Sequence, residues 1–593
     1  MYQNKKILKG LDQEQLKATT CENTRILVLA PAGSGKTRVL VTRTAHLLFN
    51  RIGPLNIACL KFTRKAGEEM KSRLLKIDQS SKGIFCNTIH SFCIEIISRF
   101  GYHLGFDKNF SIIDQDTRME LLEDIAKKTS YKKSMKSIAD KLAKFHKFYK
   151  LDMPLKEKTI ILEYLDYLKE LNALDLDLVL YTAWRLLENP VVKEYYHNQY
   201  RHILIDECQD MNDIQNMIIE QINPVNVFYV GDDAQSIYGF NGGKVDYILK
   251  FKKNNPAGET IILKQNYRSK RAIVELANRI IERNSNQVKK EMIANSEGGA
   301  VNYFIAKNDE AEATLVVGEV LGLAYEYKDI AIFARTNKQL DVVRRKLNEF
   351  KVPIKSEDTI KLNSDLKAVL RIISFSINDR DKNALEKSLE YLKIITNEQL
   401  LEIKRCMLDN ENSLYQELRN HPFNDREDID KFFSIINEIK NYIRNNPYPS
   451  KIIKHIIEIF KLERLVENKN TLDKLIDYSK QWEEKRVLEG MTINTSILIE
   501  QLQRDGIRLE PTEGVNLLSI HKSKGLEFKK VFLIGVCDGL LPSSRGDMEE
   551  EIRLMHVAIT RAIEDITISA YKYGKDFLGK QKEYNESFIK DIL

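Results

Sequence analysis

The chain has 593 residues, enough for about four domains at roughly 150 residues each. Lysine and arginine number 92 against 85 aspartate and glutamate, a net charge of +7, with 30% charged and 43% hydrophobic residues, which is the balance of a mildly basic globular chain and excludes a disordered tail. There is no bilayer-length apolar run, Met1 to Gly10 lacks the apolar centre of a secretory signal, and seven scattered cysteines include no Cys-x-x-Cys pair, so a cytoplasmic protein with reduced thiols and no structural zinc is expected.

In chain order, apolar runs at Thr24 to Ala30, Asn56 to Thr63, Ile84 to Thr88, His202 to Asp206 and Asn226 to Gly231 alternate with helical patterns. Such alternation predicts a parallel sheet covered by helices. Between about Arg99 and Pro190 it gives way to a lysine-rich, strand-poor stretch that reads as a helical insertion. A second alternating region starts near Glu259 and includes Val301 to Ala306 and Asp329 to Ala334. From about Leu362 to Leu509 amphipathic helices follow one another, Ser450 to Leu465 among them, before Val515 to Ile520 and Lys530 to Val536 restore buried strands. The predicted organisation is α/β: a first core at 1–100 and 180–258 with a helical insert at 101–179, and a second at 259–362 and 510–593 with a helical insert at 363–509.

The β-branched run ending at Leu29 leads into Ala30-Pro31-Ala32-Gly33-Ser34-Gly35-Lys36-Thr37 and then into an amphipathic helix, the order of a phosphate-binding loop. Gly33 and Gly35 let backbone N–H groups turn inward around phosphate oxygens, with Ala32 and Ser34 between and before them. The helix start adds partial positive charge, and Lys36 is a point charge for the β and γ phosphates. Thr37 should hold Mg²⁺ through its hydroxyl. Ala30 stands where the general pattern has its first glycine.

His202-Ile203-Leu204-Ile205-Asp206-Glu207 puts two carboxylates at the end of a buried strand, where open α/β sheets build their sites. Asp206 would bind Mg²⁺ directly or through water, and Glu207 would polarise the water that attacks the γ phosphate. Alone, the pair fits a helix N-cap as well as catalysis. Beside a phosphate loop the catalytic reading prevails.

These two elements resemble those of superfamily 1 DNA helicases of the UvrD/Rep/PcrA kind, and the resemblance extends over nearly the whole chain. Leu11-Asp12-Gln13-Glu14-Gln15 is similar to the family's adenine-reading motif. Lys61-Phe62-Thr63-Arg64-Lys65-Ala66 and Asn87-Thr88-Ile89-His90-Ser91-Phe92 look like its DNA-contacting motifs Ia and Ib. Val230 to Phe240 matches motif III, Leu263 to Ser269 motif IV, Ile520 to Phe528 motif V, and His556 to Ala562 motif VI.

The resemblance implies two RecA-like motor domains with ATP in the cleft between them. Tyr267 would stack on adenine, Gln15 would bond its edge, Arg38 would add a contact near the base, and Glu527 one near the ribose. Arg268 and Arg561 would reach across to the γ phosphate, and Gln235 would sense it. Phe62, Tyr238 and Phe240 would stack on unpaired bases, with Thr63, His90 and His521 as further DNA contacts, although a lone Phe is often core and a lone His often structural. Asn241-Gly242 replaces the family's usual Arg-Gly after Phe240, removing a cation.

The expected activity is that of a DNA-dependent ATPase moving 3′ to 5′ along single-stranded DNA and separating duplex, with ATP and Mg²⁺ as cofactors. Its partners would be single strands, strand–duplex junctions and a protein such as a nuclease or repair factor. The alternative is an ATP-gated DNA-sensing subunit of a nuclease or defence complex that does not unwind processively.

Overall fold

In the computed structural model of the chain, the apolar runs become strands buried on both faces, as a parallel sheet covered by helices requires. Described are residues 7–61, 63–108, 110–113, 115–128, 137–142, 154–239, 243–355, 359–360, 362–396, 399–400, 418, 426–466, 469–488, 493–508, 513–575 and 581–592. The chain divides into two compact units, one made of 1–89, 194–357 and 511–593, the other of 90–193 and 358–510.

The first unit holds both large sheets. Strands β1 (Arg25–Leu29), β2 (Ile57–Lys61), β3 (Phe85–Thr88), β4 (His202–Ile205), β5 (Asn226–Gly231) and β6 (Glu259–Ile262) form an all-parallel sheet in the order β3-β2-β4-β5-β1-β6. β7 (Gln265–Lys270) and β8 (Ile293–Ser296) pair as a small separate ribbon. Then β9 (Ala300–Asn308), β10 (Ile330–Ala334), β11 (Asn516–Ser519), β12 (Phe528–Leu533) and β13 (Ala562–Lys575) make a second parallel sheet in the order β9-β13-β12-β10-β11, with β14 (Gln581–Glu583) antiparallel on β13. Counted within its own half, the second sheet repeats the order 3-2-4-5-1 of the first. The two sheets thus belong to α/β modules of one topology.

The two sheets share packing. Ala234 and Ile237, which follow β5, are buried in one cluster with Ile273, Leu276, Met555 and Val557 of the second module. The strand at Glu259 was expected to open the second core. Instead β6 pairs with β1, Leu27 opposite Thr260, because the apolar run there covers what would otherwise be the open edge of the first sheet.

The second unit is helical and carries its own core, including Leu366, Ile373, Phe432, Ile456, Leu475 and Leu502. Asn378 Nδ2 donates to Leu171 O, Asn172 O and Ser111 Oγ, each at 3.0 Å, and so ties the two inserted segments together within that unit. The helix expected over Ser450 to Leu465 is shorter, Pro449–Ile459. Lys461 takes a left-handed φ of 51°, and the chain restarts as a single 3-10 turn, Leu462–Arg464.

Candidate active site

The site is assembled at the C-terminal ends of β1, β2, β4 and β5. Between β1 and helix Lys36–Phe49 the backbone turns on Gly33 and Gly35, both left-handed at φ 73° and 86°. A Cβ on Gly33 would lie 2.8 Å from Arg268 Cβ and from Asn266 Oδ1, and one on Gly35 would lie 2.8 Å from Gln15 Nε2. Close approach by other chain segments, as well as the turn, therefore demands glycine here. Ser34 Oγ donates to Pro31 O at 2.7 Å, and Ala32 O accepts from Asn266 Nδ2 at 2.9 Å. Thr37 sits half-buried in the first helical turn.

Strand register brings the charged groups together. Leu60 of β2 stands opposite Ile205 of β4, so the residues after them are neighbours, and Lys61 Nζ bonds Asp206 Oδ2 at 2.8 Å. Burial lowers the affinity of the Lys61 amine for its proton, but Asp206 beside it reverses the effect and the pKa ends raised. Glu207 follows with a left-handed φ of 51°, a strained conformation for a residue with a side chain. Lys36 Nζ donates to its Oε1 at 3.1 Å, and Gln209 Nε2 donates to its Oε2. Burial pushes the Glu207 carboxyl up, but Lys36, Lys524 and that amide together hold it at about 2, so it is a carboxylate throughout the working pH range.

The second module supplies further cations and a ring. Tyr267 N–H bonds Gly33 O at 2.9 Å, and its hydroxyl bonds Asp12 Oδ2 at 2.6 Å. Arg268 Nε bonds Glu527 Oε2 at 2.7 Å, and Nη1 donates to Thr560 O at 3.2 Å. Arg561 is buried, bonding Val557 O, Leu526 O and Thr560 Oγ1, and its Nη2 reaches Gln235 Oε1 at 3.5 Å. Gln235 in turn donates to Asp232 Oδ2 at 2.7 Å. Gln15 is buried with Nε2 on Ser34 O at 3.0 Å, whereas Arg38 turns to Gly10 O at 2.8 Å.

Four residues to which the sequence assigns no role of their own join this group. Lys524 Nζ bonds Asp210 Oδ2 and Gln235 O, the latter at 2.8 Å, and lies 5.0 Å from the centre of the Tyr238 ring. Asn266 pins the loop at 30–37 to β7. Lys290 pairs with Asp233 at 2.5 Å and Asp232 at 3.2 Å, all three buried. Asp12 caps helix Gln13–Thr20, and the spacing of Asp12 and Gln15, that of a capping box, was a signal available in the sequence.

Of the expected DNA contacts, Tyr238 is half-buried, its hydroxyl donating to His521 O at 3.2 Å. Burial, Arg335 and Lys524 lower the His521 pKa to about 4, so its ring is neutral at physiological pH. Thr63 is exposed, and its Oγ1 accepts Ala66 N–H at the start of helix Arg64–Ile77. His90 lies in the first turn of helix Ile89–Phe100. Phe62, Phe240 and Asn241 lie outside the described residues.

Residues 11–256 match the UvrD/REP helicase N-terminal domain, and residues 261–573 match the UvrD-like helicase C-terminal domain. The chain is 29% identical over 638 residues to the ATP-dependent DNA helicase PcrA of Staphylococcus aureus, covering 99% of this chain and 86% of that protein. It is 29% identical over 638 residues to the protein of the same name from Staphylococcus epidermidis, covering 99% and 87%.

Proposed function

The chain belongs to the UvrD/REP helicase family, and from that premise we propose that it is a 3′-to-5′ single-stranded DNA translocase that separates duplex by closing and reopening a nucleotide cleft between its two α/β modules. It is an ATP-dependent DNA helicase, a hydrolase. Direction, stepping and action on single strands and their junctions with duplex are the parts proposed. No helix among the described residues is long and apolar enough to cross a membrane.

In this reading the phosphates of ATP lie in the loop at 30–37, with Lys36 exchanging its bond to Glu207 for phosphate oxygens. Freed of Lys36, Glu207 orients the attacking water, with Lys524 and the Gln209 amide still favouring its ionised form. Arg268 and Arg561 stabilise charge that develops on the transferring phosphoryl group. Gln235 links Arg561 to Asp232, and through Lys524 the same residue is joined to Tyr238, one of the rings assigned to base stacking. Stacking on Phe62, Tyr238 and Phe240 is worth roughly 1–3 kcal/mol per base and is indifferent to sequence, as a motor requires.

Thr37 and Asp206 would hold Mg²⁺. A hydroxyl and a carboxylate are hard oxygen donors, and a magnesium site completed by substrate phosphates needs few protein ligands. The Asp206 carboxylate is partnered by Lys61 at 2.8 Å, a cation that Mg²⁺ would share it with or displace from it. When bound, Mg²⁺ neutralises charge on the β and γ phosphates.

The observation that carries the proposal is the approach of Arg561, from the second module, to Gln235 of the first at 3.5 Å. The test is strand separation on partial duplexes with a single 3′ or 5′ overhang, paired with ATP hydrolysis with and without single-stranded DNA. Unwinding from the 3′ overhang alone is expected. Unwinding from the 5′ overhang overturns the direction, and DNA-stimulated hydrolysis with no unwinding overturns the motor.

A further inference from the structure

One carboxylate joins the two modules beside the loop at 30–37. Asp12 Oδ1 accepts Gln15 N–H at 2.7 Å, and its Oδ2 accepts the Tyr267 hydroxyl at 2.6 Å. Its two partners come from different modules, Gln15 from the segment matched at 11–256 and Tyr267 from that matched at 261–573. The Gln15 amide is held as well: Oε1 accepts Asp12 N–H at 3.4 Å, and Nε2 donates to Ser34 O at 3.0 Å. Gln15 is fully buried and packs on Gly35, so the amide cannot turn over without losing both bonds.

Each end of that amide keeps one unused capacity, a second lone pair on Oε1 and a second hydrogen on Nε2. Their order is fixed by the bonds already made. An amide so oriented fits a purine edge offering an acceptor beside a donor, which adenine presents at N7 and N6; guanine would set its O6 against Oε1, oxygen to oxygen. Leaving such polar groups unpaired is what gives a site discrimination.

We propose that Asp12 is a positioning residue that determines purine specificity: by joining the start of helix Gln13–Thr20 to the Tyr267 ring, it sets the Gln15 amide and the stacking surface in one register on an adenine base. The proposal rests on the nucleotide-site reading above. Asp12 does not touch the nucleotide itself, and acts through Gln15 and Tyr267.

The test uses the full chain with saturating single-stranded DNA, and follows hydrolysis of ATP with GTP both as alternative substrate and as competitor. Asp12→Ala should raise KM for ATP about tenfold with kcat within about twofold, and should lower the ATP-over-GTP preference by a similar factor, the scale of one or two hydrogen bonds. Tyr267→Phe should move the same quantities in the same direction. Asp12→Ala/Tyr267→Phe should be no worse than Asp12→Ala, because the hydroxyl has then already lost its partner. Asp12→Asn, which keeps a capping oxygen and a partner for the phenol, should restore most of the preference. A merely structural loss lowers activity with both nucleotides and leaves their ratio alone. An unchanged ratio in Asp12→Ala, or additive effects in the double variant, overturns the proposal; should Asp12→Ala not fold, an unchanged ratio in Tyr267→Phe does so. Lys36→Ala measured alongside separates the two levels. Near-normal turnover by that variant overturns the nucleotide site itself, whereas a strongly impaired Lys36→Ala beside an unaltered Asp12→Ala overturns only the role of Asp12.

Discussion

The Arg561 guanidinium stands 3.5 Å from the Gln235 side-chain oxygen, and its hydrogen bonds all go to neutral acceptors. Burial, and Arg268 beside it, lower its pKa to about 9, which leaves it charged at neutral pH but poorly compensated. A desolvated cation of that kind gains most from an anion arriving in the cleft. The γ phosphate is the anion that the phosphate loop would deliver.

Lys36 is the first group to test. Its ammonium bonds Glu207 at 3.1 Å, and Lys524 lies 3.8 Å from the same carboxylate, so Glu207 keeps a cationic neighbour when Lys36 is removed. Lys36→Ala should therefore fold, with hydrolysis reduced by at least about 10²-fold, the scale seen when one preorganised electrostatic contact is lost. Phosphate release at saturating single-stranded DNA measures it, and near-normal turnover in the folded variant contradicts the phosphate-site assignment.

Lys524 is expected to matter for stability as well as coupling. It pairs with Asp210, whose carboxylate is buried and pushed up to about 6 by that burial even with Lys524 facing it. Lys524→Met leaves Asp210 without its counter-ion, a loss on the order of 3 kcal/mol, and Lys524→Met/Asp210→Asn should recover most of it. Urea unfolding of the two variants is the check; equal losses would mean that the pair is not coupled.

Glu312 predicts a pH dependence. It is buried, its Oε1 accepting from Gly535 N–H at 2.9 Å and Ser569 Oγ at 2.7 Å, and burial raises its carboxyl to about 7. The folded value lies above the ordinary 4.5, so the folded chain retains a proton that the unfolded chain has released. Stability is then full below about pH 4.5 and declines as pH rises towards 7, by about 3 kcal/mol in total. Glu312→Gln, which keeps an acceptor oxygen, should remove that decline. Its melting temperature should match the parent near pH 4 and exceed it near pH 8, and parallel profiles would contradict the assignment.

The strands were legible because parallel strands buried on both faces are continuous apolar runs: β1, β4 and β5 fall inside the runs marked at Thr24, His202 and Asn226. Periodicity reports burial but not the neighbour, so it does not show that β6 joins the first sheet. The turn on Gly33 and Gly35 was legible because its residues are adjacent in the chain. Lys524 and Lys290 were not, since their partners Asp210 and Asp233 are remote in sequence and meet them only after both modules have folded. Asn266 is hidden for the same reason, its partner being the remote Ala32 O. The resemblance to a helicase family supplied Arg268 and Arg561; nothing in their local sequence would have distinguished them from arginines in surface ion pairs.

The most direct measurement is single-turnover hydrolysis by Arg561→Ala, with ATP affinity determined separately on the same protein. If nucleotide anchored by one module is triggered by cations from the other, hydrolysis should fall by about 10³-fold or more while ATP still binds, and Arg561→Lys should restore little of it because a lysine cannot reproduce the guanidinium fork. Hydrolysis within about tenfold of the parent at equal ATP occupancy would contradict a cleft completed from both sides.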